Sequence, residues 1–147
     1  MKFSECKPGR IFVICLENGD IVHQEIEQFA RDQSIEAASL IIIGGADKGS
    51  KLIVGPEREN EIPVSSMEYV LKNVHEIVGA GTLFPDQQGN PVLHLHMACG
   101  RISSTKTGCI RRGVRVWHIM EVILFELLES KGKRMFDSET GFALLRL

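Results

Sequence analysis

Short apolar blocks separated by turn-forming residues dominate this chain, and one segment carries a helical period instead. Residues 9–16 (GRIFVICL) read as a strand, closed by the turn signal Glu17-Asn18-Gly19-Asp20. Asp20 is placed to cap the next segment. From Ile21 onward, Val22, Ile26, Phe29 and Ala30 fall at i, i+4, i+7 and i+8, with Glu25, Gln28, Arg31 and Asp32 on the wet side, which predicts a helix.

Residues 37–43 (AASLIII) form an uninterrupted apolar run that predicts a strand buried on both faces. Gly44-Gly45 then predicts a sharp turn. A short strand at 51–54 stops at Gly55-Pro56, residues 57–63 read as a charged surface loop, and 66–71 and 74–81 read as two further strands. The turn-rich stretch 84–91 leads into a strand in which Val92, His94, His96 and Ala98 share one face and Leu93, Leu95 and Met97 the other. A second hairpin arm is expected over 107–111. Residues 114–128 are mainly apolar, broken by His118, Glu121 and Glu126 among few others; length favours a helix, and their β-branched content favours strands. The tail carries Phe136 and a strand-like segment at 141–147. Strands outnumber helices and their connections are mostly hairpin length, so the expected class is α+β with a largely antiparallel sheet, one domain over residues 1–147.

Composition narrows the function classes. The 147 residues are 44% hydrophobic and 24% charged, ordinary for a globular chain, so a core needs no disulfide or structural metal. Seventeen basic against nineteen acidic residues give a net charge of −2, without the whole-domain basic excess of a nucleic-acid binder. A local basic cluster, Arg111, Arg112 and Arg115, reads either as a solvated loop or as a DNA-contacting patch. Cys6, Cys15, Cys99 and Cys109 have no CxxC spacing, and no signal-peptide core or membrane-length apolar run is present in the sequence, which points to thiols in a reducing cytoplasm. Cys6, Cys15 and Cys99 read as small buried hydrophobes, and His23 and His75 as surface histidines.

His94-Leu95-His96 carries the strongest chemistry. Imidazoles two apart on a strand leave the same face roughly 6–7 Å apart at Cα, a separation from which both can reach one ion. Cys109 on the following arm and His118 in the next segment are the candidate further donors, and Glu121 is a candidate to orient a ligating histidine or act as a base near bound water. A His₂Cys or His₃ set with an open position suits Zn²⁺, or another divalent transition ion. Residues 44–51 (GGADKGSK) lack the Gly-Lys-Ser/Thr order and following helix of a P-loop, and no serine lies in a GxSxG elbow.

Gly79-Ala80-Gly81-Thr82-Leu83, the run from Gly89 through Asn90-Pro91-Val92-Leu93 to His94-Leu95-His96, Thr107-Gly108-Cys109-Ile110 and Val122-Ile123-Leu124, in this order and spacing, resemble the plants and prokaryotes conserved (PPC) domain. The resemblance covers residues 12–128 and beyond. It implies an α+β domain with a mixed, mainly antiparallel sheet and a flanking helix, assembled as a homotrimer. Prokaryotic members carry an HxH strand and commonly a Gly-Gly-His segment on the next arm, whose histidine resembles a third metal ligand. Here Thr107-Gly108-Cys109 stands in that place, leaving Cys109 or His118 as the third donor. Plant relatives bind DNA through an Arg-Gly-Arg-Pro hook that this chain lacks, so the resemblance implies a metal-binding association module more than a DNA reader.

Overall fold

A computed structural model describes residues 1–62 and 64–147 and turns the apolar blocks into strands. In chain order these are β1 (Lys7–Glu17), α1 (Val22–Asp32), β2 (Ala38–Ala46), β3 (Lys51–Pro56), β4 (Ser66–Val70), β5 (His75–Pro85), β6 (Pro91–Arg101), β7 (Ser104–Cys109), β8 (Val116–Leu128), β9 (Lys133–Phe136) and β10 (Ala143–Arg146). The first eight strands form one sheet in the order β1-β8-β2-β5-β6-β7-β3-β4, and β9 and β10 form a separate hairpin. Residues 57–62 of the expected surface loop lie between β3 and β4, and Pro63 lies outside the described residues.

Every strand pairing among the described residues is antiparallel, a departure from the mixed sheet that the resemblance implied. β1 and β2 do run in the same direction, joined through α1. However, β8 inserts between them and pairs with both, so no two parallel strands are neighbours among the described residues. The ambiguous apolar stretch is thus a central strand: its β-branched residues gain two hydrogen-bonded neighbours there, which a helix on the surface could not offer.

α1 lies against one face of the sheet. Val22, Ile26 and Ala30 are completely buried, facing Leu40, Ile42, Leu95, Met97, Met120, Val122 and Leu124, and Phe29 meets Phe12 edge to face at 5.1 Å. Asp20 does not cap this helix. Its carboxylate accepts the Glu17 backbone N–H at 2.8 Å and closes the β1 turn, while Ile21 occupies the N-cap position without a side-chain bond.

β2 is buried on one face only, with Ile41 and Ile43 each about half exposed at 52% and 51%, because α1, the one helix among the described residues, covers only the side facing Leu40 and Ile42. Nor does Gly44-Gly45 turn the chain; β2 runs on to Ala46. At Gly44 (φ +138°) a Cβ would lie 2.3 Å from the Ile119 carbonyl, so glycine is what lets β2 pass the irregular register of β8. The face away from the helix exposes Ile11, Val13, Ile41, Ile43, Val78, Ile119 and Phe125 across neighbouring strands. Cys15 lies exposed on this face opposite Glu121, rather than buried as expected, and Cys6 is half-buried.

Candidate metal centre

The turn before β6 sets its register. Asp86 accepts backbone N–H groups from Gln88 and Asn90, at 2.9 and 2.8 Å, and Pro91 then starts the strand opposite Pro85. From that register the pleat buries Leu93, Leu95, Met97 and Cys99 under the helix and sends His94 and His96 to the opposite face. Cys99 therefore points away from the histidines, and burial pushes its thiol up to about 11.

β7 brings the sulfur. In the β6–β7 ladder His96 pairs directly with Cys109, so their side chains leave the same face, and the chain then departs with the Ile110 N–H bonded to the Leu95 carbonyl. Gly108 allows the approach from the other side: a Cβ there would lie 2.4 Å from the Ile53 carbonyl of β3. The result is a half-buried His94, an exposed His96 and a buried Cys109, with one ligand atom from each lying within 4.8 Å of the others. His94 Nε2 and His96 Nε2 are 3.2 Å apart, their rings nearly perpendicular at 84°.

These residues fit a tetrahedral ion. Two Zn–N bonds of 2.0–2.1 Å at a tetrahedral angle put the nitrogens roughly 3.3 Å apart, close to the spacing found, and thiolate plus two imidazoles is a donor set of zinc's kind. Neutral imidazole is the ligating form. Burial first, then Arg134 and Arg111, holds His94 below the usual histidine range; burial first, then His94 and Arg111, does the same for His96. The Arg111 Nε–H points to Cys109 Sγ at 3.2 Å, so the sulfur already accepts one hydrogen bond on the side of Arg111.

The other residues singled out in the sequence lie elsewhere. His118 sits on β8, with β2 and β5 between it and β6, roughly 14 Å away at about 4.8 Å per strand. Its backbone is left-handed (φ +59°), its N–H bonds Asn18 Oδ1 at 2.9 Å and its ring meets Trp117. Glu121, also on β8, faces Cys15 and Ile43 at the same strand separation from the histidines. Within one chain neither reaches the cluster. The arginine group also divides: Arg111 turns to Cys109 and stacks over Phe142, Arg112 pairs with Glu68 at 3.0 Å, and Arg115 lines an open cavity with Lys48 and Lys51.

Three contributions are not legible in the sequence. Arg134, from the tail hairpin, is 6% exposed and donates from Nη2 to Thr82 Oγ1 at 2.9 Å, on the sheet row that carries His94. His75 is buried, its Nδ1 2.8 Å from the Asn73 carbonyl, and His23 is half-buried; neither is the surface histidine expected from its charged sequence neighbours. For Arg134 the only signal is alternation in a short tail strand, which says nothing of where that strand docks.

An antiparallel eight-stranded sheet with one helix on one face and a His-x-His plus Cys cluster at the β6–β7 seam defines a small α+β domain with a candidate metal centre. The Plants and Prokaryotes Conserved (PCC) domain model matches residues 3–128, and the chain belongs to that family. The fold is shared with a metal-containing protein of Archaeoglobus fulgidus (24% identity, TM-score 0.86, all of both chains covered) and with a plant- and prokaryote-conserved protein of Pyrococcus horikoshii (22%, 0.81, all of both chains). It is also shared with a candidate DNA-binding protein of Ralstonia eutropha JMP134 (23%, 0.71, 92% of this chain and 90% of that one). Among curated proteins, the bifunctional protein GlmU of Synechococcus sp. (strain JA-3-3Ab) is 28% identical over 140 residues, which span 94% of this chain and 20% of that protein.

Proposed function

We propose that the chain is a metal-binding protein of the PCC family that holds one divalent transition ion, zinc by preference, through His94, His96 and Cys109, with a fourth position open. The observation that carries this reading is the pair of imidazole nitrogens 3.2 Å apart with a buried sulfur completing the triangle. The metal-containing relative of the same fold supports it. An ion so held supplies Lewis acidity and an acidified bound water. Elemental analysis of untagged protein tests the reading: about one equivalent of metal is expected, lost in His94→Ala, and metal content unchanged by that substitution would count against it.

The exposed apolar sheet face supports self-association as a homotrimer, since an apolar surface this continuous is rarely left to water. A reducing compartment, the cytoplasm, suits a free thiol that serves as ligand. No helix is long and apolar enough to cross a membrane among the described residues. A second reading, DNA contact, has one observation behind it: Arg112 and Arg115 meet Lys48 and Lys51 around one cavity of about 250 Å³. Binding to duplex DNA that weakens steeply with added salt would support it, and no binding at low salt would remove it.

A further inference from the structure

Two buried side-chain nitrogens have no hydrogen-bond partner among the described residues, His23 Nδ1 and Arg134 Nε. Both residues line one cavity of about 220 Å³, together with Glu27, His94 and Arg111. An orphaned guanidinium nitrogen in a buried setting is costly, and native structures rarely tolerate one without a partner. Arg134 is held by a single bond to Thr82 and covered by the Phe84 ring. Burial first, and then Arg111, lowers its pKa, with Cys109 acting the other way. Neither arginine has a carboxylate partner among the described residues. The one acid lining the cavity, Glu27, accepts the Leu93 backbone N–H at 2.9 Å and so is committed to β6. Two guanidiniums against one engaged carboxylate leave the cavity positive before any cation is added.

We propose that this cavity receives a small oxyanion, the phosphate or carboxylate group of a small molecule, with Arg134 and Arg111 as its recognition groups. The planar fork of an arginine matches such a group and binds it with charge-assisted hydrogen bonds. Arg134 Nε and the Nη groups of Arg111 are the donors at hand, since Arg111 Nε is directed to Cys109. The inference deepens the metal reading and rests on it through one residue only, His94, which lines the cavity and belongs to the proposed metal cluster.

The test titrates the full chain calorimetrically with sodium phosphate and with sodium acetate, against sodium chloride, with and without one equivalent of zinc. Saturable uptake of at least one of the two oxyanions is expected, at one per chain. Arg134→Gln and Arg111→Gln should each weaken it about tenfold or more, while Arg58→Gln, in the loop after β3, leaves it unchanged. Uptake of phosphate alone assigns a phosphorylated ligand, and of acetate alone a carboxylate. Should buried Arg134→Gln not fold, exposed Arg111→Gln decides. Heats no different from chloride, or variants that bind as tightly as the parent, would overturn the proposal. A chain that takes no zinc yet binds phosphate through both arginines overturns the metal reading alone; one that takes zinc but neither oxyanion overturns this one alone.

Discussion

His96 and Cys109 are direct cross-strand partners in the β6–β7 ladder, so an imidazole and a thiol leave one sheet face side by side, and His94, one pleat back, adds the second ring. The cluster is therefore a product of backbone register, and whatever disturbs the register of β7 disturbs the site.

Gly108 is the residue most exposed to that dependence. Its missing Cβ is what allows β3 to lie against β7, with the Ile53 carbonyl 2.4 Å from the position a methyl would take. Gly108→Ala should destabilise the chain by about 1–3 kcal/mol in a denaturant titration, and metal affinity should fall with it because Cys109 is the next residue. Unchanged affinity at reduced stability would show that β7 shifts without moving the sulfur.

At the opposite edge, Arg10 holds Glu126. The guanidinium donates to both carboxylate oxygens at 2.7 Å, and the Arg10 backbone N–H adds a third bond at 3.0 Å. Led by the Arg10 side-chain bond, these contacts hold the carboxyl at about 2, against an ordinary 4.5. A depressed carboxyl means that the unfolded chain binds the proton first. The stability from this pair is complete above pH 4.5 and is lost as pH falls toward 2. Thermal unfolding of the parent and of Glu126→Gln should differ by several degrees at pH 6 and converge as the solution is acidified through that window; a gap that stays constant would contradict it.

The apolar face opposite the helix is the surface on which assembly is proposed. Ile41→Glu places a charge at the centre of that face, where the native side chain is already 52% exposed in the single chain, so the fold itself should survive. Sedimentation should show trimers for the parent and monomers for the variant, with circular dichroism unchanged. Identical sedimentation of the two would remove this face from assembly.

How much of the fold and the site is legible in the sequence depends on the range of the interactions involved. The stripe of Val22, Ile26, Phe29 and Ala30 announces α1 because a helix face is written within a few residues, and the alternation around His94 and His96 announces which rings share a face for the same reason. The strand identity of β8 depends on two neighbours distant in the chain, β1 and β2, which local pattern does not contain. The same limit explains β2, whose apolar run suggests burial on both faces although one helix covers only one of them. Cys109 and His118 are equally eligible as third donor until the strand order puts two strands between β8 and β6. Arg134 belongs to a hairpin whose docking no periodicity encodes.

The most direct test of the metal centre is a cobalt titration followed by absorption, on the parent, Cys109→Ser and His118→Ala. One equivalent of cobalt should bind to the parent and to His118→Ala with a sulfur-to-cobalt charge-transfer band, and that band should vanish in Cys109→Ser. A parent that binds no cobalt, or a band that survives the loss of Cys109, would contradict the assignment.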